Sequence, residues 1–210
     1  MRNTKRLTPV FKYKYIIDKE NLSRLNNLTD NVFADYSKVL VIRMDFYTGC
    51  NSESNNYDYM NEAFIRLRNN QRFNKIFEHY ISYAAKLEYA DDRKWHFHVV
   101  YFFDGQRVKN DYLLAKQIGD YWVNTITRGE GQYYSANMNP QRYDTFSVGM
   151  INYYDTAAIE ALKACVSYLA KEPEQGAASI RTDAAGKAYR SYRQGNYVPK
   201  RHRLGRPRLY

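Results

Sequence analysis

The stretch LEYADDRKWHFHVVYFFDG, residues 87–105, decides how this chain folds. Two apolar runs, 80–89 and 95–103, flank the short polar segment Ala90-Asp91-Asp92-Arg93-Lys94, a pattern that predicts an antiparallel hairpin. Alternation along the second strand sends Trp95, Phe97, Val99, Tyr101 and Phe103 to one face, an apolar surface that helices must cover. His96, His98, Val100 and Phe102 point the other way. Two imidazoles two residues apart on a strand project in parallel, ~7 Å apart along the chain, and can converge on one ion. With the turn centred on Asp92, Glu88 falls opposite His96 and shares its face. One carboxylate and two imidazoles with open positions suit Mg²⁺ or Mn²⁺ better than a closed structural zinc site. The chain has four histidines in all, so two of them in one strand is a concentration rather than a scatter.

Upstream of the hairpin, residues 38–47 read as a strand with Val39, Val41, Arg43 and Asp45 on one face. Asp45 is a rival third ligand or a support for one; equally, Arg43 and Asp45 form a partly buried ion pair. Residues 59–77 are expected to be helical, with Ala63, Leu67, Phe73 and Phe77 as face markers. Downstream, Leu114, Ile118, Tyr121 and Trp122 mark a helix over 110–125. An irregular stretch, 127–145, leads to a strand at 146–153. Asp155 or Thr156 then caps a final helix that runs to Lys171, and Pro173 stops it. The order β-α-β-β-α-β-α predicts an α+β domain of ferredoxin-like, split-βαβ type, with a largely antiparallel sheet and helices covering one face. Its expected limits are 38–175, after an N-terminal extension, 1–37, with one short helix near 18–28. Residues 176–210 are expected to form a basic tail.

That tail follows from the charge. The chain of 210 residues has a formal charge of +10. Between residues 187 and 210 stand Lys187, Arg190, Arg193, Lys200, Arg201, Arg203, Arg206 and Arg208, and no acidic residue. Subtracting those eight from +10 leaves the other 186 residues at about +2. A basic segment of this kind binds nucleic-acid phosphates in a salt-dependent way. The interleaved Tyr189, Tyr192 and Tyr197 would offer stacking platforms to unpaired bases. Gly205-Arg206-Pro207-Arg208 is similar to the core of an AT-hook. Two widely separated cysteines, Cys50 and Cys165, give neither a disulfide framework nor a zinc motif, which points to a reduced, cytoplasmic protein. No apolar run approaches the ~20 residues of a membrane span.

Metal and nucleic acid together require a group that attacks phosphorus. With 22 tyrosines, YxxK patterns are common in this chain: Tyr83/Lys86, Tyr168/Lys171 and Tyr197/Lys200. Tyr83 and Lys86 fall in a strand, where positions three apart point to opposite faces. Pro199 excludes a regular helical turn for the third pair. Tyr168 and Lys171 lie on a predicted helix, where such positions are neighbours. Tyr168 is therefore the candidate nucleophile, with a buried core tyrosine as the competing reading. A nucleophile must bring its hydroxyl to within ~10 Å of His96 and His98.

The His–hydrophobic–His strand followed by Y-x-x-K resembles the rolling-circle replication initiator superfamily of HUH endonucleases. Within it, RMDFY (43–47), residues 87–105, WVNTITRGEGQYY (122–134) and VSYLAKEP (166–173) resemble the inovirus (filamentous phage) replication-protein family. The likeness covers roughly residues 39–173. It implies that His96 and His98 bind the metal, that Glu88 completes the set, that Tyr168 is the nucleophile, and that Lys171 contacts phosphate or positions the metal complex. Ala164 and Glu172 stand where paired-tyrosine initiators carry a second tyrosine, so a single-tyrosine enzyme is expected. The implied activity is nicking and rejoining of single-stranded DNA or an origin hairpin through a 5′-phosphotyrosine, starting rolling-circle replication of a phage, prophage or plasmid element. A host helicase and polymerase would be its partners, in the bacterial cytoplasm, without a membrane. Two alternatives stand beside it: a non-catalytic origin-binding regulator of the same fold, and a β-barrel metalloenzyme using HxH, which would need more strands.

Overall fold

A computed structural model of the chain describes residues 15–49, 56–143, 146–172 and 189–199. Helix α1 (Lys19–Asp35) begins at Asp18, whose carboxylate accepts from the Glu20 and Asn21 amides. Strand β1 (Lys38–Thr48) and helix α2 (Tyr57–Asn70) follow, then two 3₁₀ turns, Gln71–Phe73 and Lys75–Phe77. The expected hairpin forms from β2 (Tyr80–Ala90) and β3 (Lys94–Asp104). Helix α3 (Asp111–Tyr121) runs into a π-helical turn, Trp122–Ile126. Strands β4 (Gly131–Ser135) and β5 (Gly149–Asn152), helix α4 (Thr156–Val166), a 3₁₀ turn (Ser167–Ala170) and strand β6 (Tyr192–Gln194) complete the order.

The architecture is α+β, with one open antiparallel sheet in the order β4-β1-β3-β2-β6. Strand β5 shares the outer edge of β1 with β4: β5 pairs along Lys38–Val41, and β4 along Met44–Thr48. Both faces of the sheet are covered. Leu40, Ile42, Met44 and Phe46 of β1 and the odd-numbered residues of β3 pack under α2 and α3, through Met60, Phe64 and Leu67 and through Leu114 and Ile118. Val39, Val41, Val100 and Phe102 pack under α1 and α4, through Leu25, Leu28 and Val32 and through Ile159, Leu162 and Val166. Helices on a single face were expected; the second layer exists because Leu25, Leu28 and Val32 make an apolar stripe at helical spacing. Residues 19–35 are thus part of the domain rather than an extension.

Three further differences matter for the site. The expected 59–77 helix ends at Asn70, and Phe73 is 92% exposed instead of marking a core face. The irregular 127–145 stretch contains β4, brought against α3 because Gly119 has no side chain: a Cβ there would lie 2.2 Å from the Tyr133 ring. The final helix stops at Val166 rather than Lys171. Ser167 Oγ donates to the Ala164 carbonyl, and the chain tightens into a 3₁₀ turn.

The C-terminal segment also departs from a free basic tail. Strand β6 pairs with Ala84–Lys86 of β2, with Tyr192 4% and Arg193 8% exposed. The Arg193 guanidinium lies 5.2 Å over the Phe97 ring, so this cation is packed in the fold rather than presented to phosphate. Tyr189 stacks on Tyr57, and Tyr197 donates to Asp35. Of the expected tail cations Arg190 is exposed, and Lys187, Lys200, Arg201, Arg203, Arg206 and Arg208 lie outside the described residues. Truncation after Gly186 therefore removes a sheet strand, and the melting temperature is expected to fall by about 10 °C. Truncation after Pro199 spares the strand and is expected to weaken DNA binding with little change in melting temperature. Thermal denaturation of the two truncated chains checks this.

Candidate metal centre

The hairpin register brings the centre together. Glu88 pairs with His96 across β2 and β3, and Asp45 pairs with His98 across β1 and β3. Glu88, His96 and His98 each present one ligand atom, and these atoms lie within 4.8 Å of one another. His98 Nε2 is 3.3 Å from Glu88 Oε2. Two ligands opposite each other at about 2.1 Å from an ion are about 4.2 Å apart, so small side-chain shifts suffice to close the set.

Both imidazoles are held from behind. His98 Nδ1 donates to Asp45 Oδ1 at 2.7 Å, and His96 Nδ1 donates to the Lys94 carbonyl at 2.9 Å. With Nδ1 so engaged, His98 turns Nε2 toward Glu88, and Nε2 of His96 is the nitrogen left for an ion. The two readings of Asp45 are thereby separated. Its carboxylate orients His98, with Arg93 3.8 Å from its other oxygen. Arg43 instead places its guanidinium 4.6 Å over the Tyr168 ring.

The charges interlock. Burial would raise the Glu88 carboxyl, yet the hydrogen bond from His98 and the positive charges of His98, Lys171 and Lys86 hold it at about 2. Burial likewise opposes ionisation of Asp45, and the hydrogen bond to His98 overcomes it, lowering Asp45. Burial would lower His98, but its two carboxylate partners raise it. His96 is lowered, first by burial and then by the charge of His98.

Tyr168 reaches the centre from the 3₁₀ turn, its ring 5.3 Å from that of His98 and nearly perpendicular to it. The residue as a whole is half-buried, but its hydroxyl is buried and has no hydrogen-bond partner among the described residues. Burial pushes the phenol well above its usual range, and the Arg43 charge opposes that. Lys171 follows the turn in extended form rather than on a helix, and its Nζ lies 3.1 Å from Glu88 Oε1. The turn is tied down by the residues ahead of α1: the Asp18 amide donates to the Ala170 carbonyl, and Glu172 donates to Ile16.

Lys86 and Tyr83 occupy opposite faces of β2, as alternation predicts. The structure brings Lys86 into the cluster on its own account. It is 1% exposed, 3.7 Å from Glu88 Oε1, and donates to the Lys171 carbonyl. Burial lowers its ammonium to about 8. The register that sets Glu88 opposite His96 also sets Lys86 opposite His98, which is the signal that could have found it.

Comparison with known proteins adds a family. The model of the YagK/YfjJ C-terminal domain matches residues 1–192. The chain belongs to that family. No curated protein and no solved structure matches it. The family match takes in α1, the whole metal cluster, the Tyr168 turn and the first residue of β6.

Proposed function

We propose that this member of the YagK/YfjJ C-terminal domain family is a metal-dependent single-tyrosine nickase of single-stranded DNA, of the HUH type. One observation carries the reading: a buried tyrosine hydroxyl with no partner among the described residues stands beside two imidazoles and a carboxylate arranged to hold one cation. The strand order supports it, because β3 lies between β1 and β2 as a split βαβ unit of ferredoxin-like kind requires. The donor set fits a divalent ion, preferably Mg²⁺ or Mn²⁺: both Nδ1 atoms are occupied elsewhere, which leaves both Nε2 atoms as ligands beside the Glu88 carboxylate, and three protein ligands leave positions for substrate.

Bound at His96, His98 and Glu88, such an ion would supply Lewis-acid polarisation of the scissile phosphate. Tyr168 Oη attacks phosphorus in line. The Oη–P bond forms, the P–O3′ bond breaks, and the phenolic proton passes to the departing 3′-oxygen. The products are a 5′-phosphotyrosine and a free 3′-OH that a host polymerase can extend. Arg43, packed on the Tyr168 ring, stabilises the developing phenolate. Lys171 anchors Glu88 at the end of the nucleophile's turn. Burial of the hydroxyl requires the substrate to enter as an unpaired strand, because a duplex cannot bring its phosphate to the sheet surface. The activity belongs to initiation of rolling-circle replication of a phage, prophage or plasmid element in a bacterial cytoplasm, with unwinding left to a host helicase.

The chain incubated with Mn²⁺ and a pool of short single-stranded oligonucleotides is expected to give a denaturant-resistant protein–DNA adduct, lost when EDTA replaces the metal. Binding without any adduct across the pool would favour an origin-binding regulator instead. No helix among the described residues is long and apolar enough to cross a membrane.

A further inference from the structure

A second basic and aromatic surface lies at the far end of β2 from the metal cluster. Where α2 gives way to the two 3₁₀ turns, a cleft of about 610 Å³ opens between those turns, the start of β2 and Gly195–Asn196. Arg68, Arg72 and Lys75 line it, together with Phe73, which is 92% exposed. Glu78 is also present, but among the described residues no carboxylate lies within 4.0 Å of any of the three cations. A lone exposed ring is ordinary. A ring set among unpaired cations has the composition of a surface that stacks bases and holds phosphates.

Two observations indicate that the cleft is built for a ligand. Tyr83, in its lining, is 2% exposed, and its hydroxyl has no hydrogen-bond partner among the described residues. The Arg68 guanidinium lies 5.0 Å over that ring, at the wall of the cleft. Gly195 also has no room for a side chain: a Cβ would lie 2.7 Å from Ser82 Oγ and 3.2 Å from the Tyr80 hydroxyl. The volume falls in the range of small-ligand sites, enough for a nucleotide.

We propose that this cleft binds single-stranded nucleic acid, with a base stacked on Phe73 and backbone phosphates held by Arg68, Arg72 and Lys75. Acidic peptides would find the same cations, but the exposed ring and the unpartnered hydroxyl favour unpaired bases. The strand has a path to the metal cluster. Gly195 and Asn196 also border a smaller groove lined by Arg24, Asn27 and Asn31, one face of α1. Helix α1 begins beside Ala170 and Lys171, so a strand leaving the cluster can follow α1 to Gly195 and enter the cleft. Eight residue steps along β2 separate Tyr80 in the cleft from Glu88 in the cluster, a span of about 26 Å. The role of the cleft as a holder of the nicked strand rests on the function proposed above; its binding of single strands does not.

The test measures binding of a fluorescent single-stranded oligonucleotide by anisotropy in EDTA, at several salt concentrations, with the full chain throughout. Phe73→Ala is expected to weaken binding about 10-fold. Arg72→Ala/Lys75→Ala is expected to weaken it and to flatten the slope of log Kd against log salt by about 1.4, two phosphate contacts' worth. All three positions are exposed, so folding should survive, and melting temperatures check that. Single-strand affinity unchanged in both variants overturns the proposal. So does a loss of polyglutamate binding with single-strand binding intact, or equal binding of duplex with Phe73→Ala neutral. The readout needs no metal and no adduct. Wild type that never forms an adduct, together with a Phe73→Ala binding defect, would sink the nickase reading and support the cleft.

Discussion

Tyr168→Phe is expected to abolish covalent attachment to DNA, by on the order of 10³-fold or more, while the protein stays as stable as wild type or gains slightly. The two halves of that result have separate causes. The substitution removes the oxygen that forms the phosphotyrosine bond in the proposed reaction, so that reaction loses its covalent route. The same hydroxyl makes no hydrogen bond in the described structure, so its removal leaves no partner stranded. An unsatisfied buried hydroxyl costs roughly 1–3 kcal/mol, and replacing it with hydrogen recovers some of that. The ring contacts with Arg43 and His98 survive in phenylalanine. A tyrosine kept only for packing predicts the opposite pairing, with adduct retained. Adduct yield on a denaturing gel and a melting curve of the same sample read out both halves.

The second large effect concerns the cation. His98→Ala is expected to weaken Mn²⁺ binding more than 100-fold, measured by calorimetry, and Asp45→Asn by about 10- to 100-fold. The grading follows from position: His98 supplies a ligand nitrogen, whereas Asp45 only fixes the ring through Nδ1. Proton competition adds a pH dependence. His98 is raised by its two carboxylate partners, so it keeps its proton to a higher pH than an ordinary histidine. A cation must displace that proton, so Mn²⁺ affinity is expected to rise with pH through and above the usual histidine range. Glu88, held at about 2, stays ionised throughout and contributes no dependence of its own there. Affinity that is flat with pH, or equal in His98→Ala and wild type, would mean that the ion binds elsewhere.

What could be read without coordinates was mostly what a single strand or one hairpin dictates. Glu88 faces His96 because a turn centred on Asp92 leaves no other register, and alternation alone puts Phe97 and Val99 in the core. Features that depend on distant contacts were not legible. Five residues of β4 carry little β signal; the strand exists because β1 offers an unpaired edge and Gly119 lets Tyr133 approach. Tyr168 was placed on a helix by its neighbours' spacing, whereas Ser167 and the clamp from Ile16–Asp18 turn it into 3₁₀ geometry. Arg193 looked like a tail cation because charge runs say nothing about a strand joining β2. Lys86 was legible in principle, since the hairpin register that pairs Glu88 with His96 also pairs Lys86 with His98, but the Y-x-x-K spacing ties it only to Tyr83, on the other face.

The central claim is that Tyr168 bonds to DNA with help from the His96–His98–Glu88 centre. It is tested most directly by protease digestion of the adduct formed in Mn²⁺, followed by mass spectrometry of the cross-linked peptide. The expected peptide contains Val166–Lys171 and carries a nucleotide joined through its 5′-phosphate to Tyr168. A nucleotide on any of the other tyrosines, or a 3′-linked one, would contradict the account.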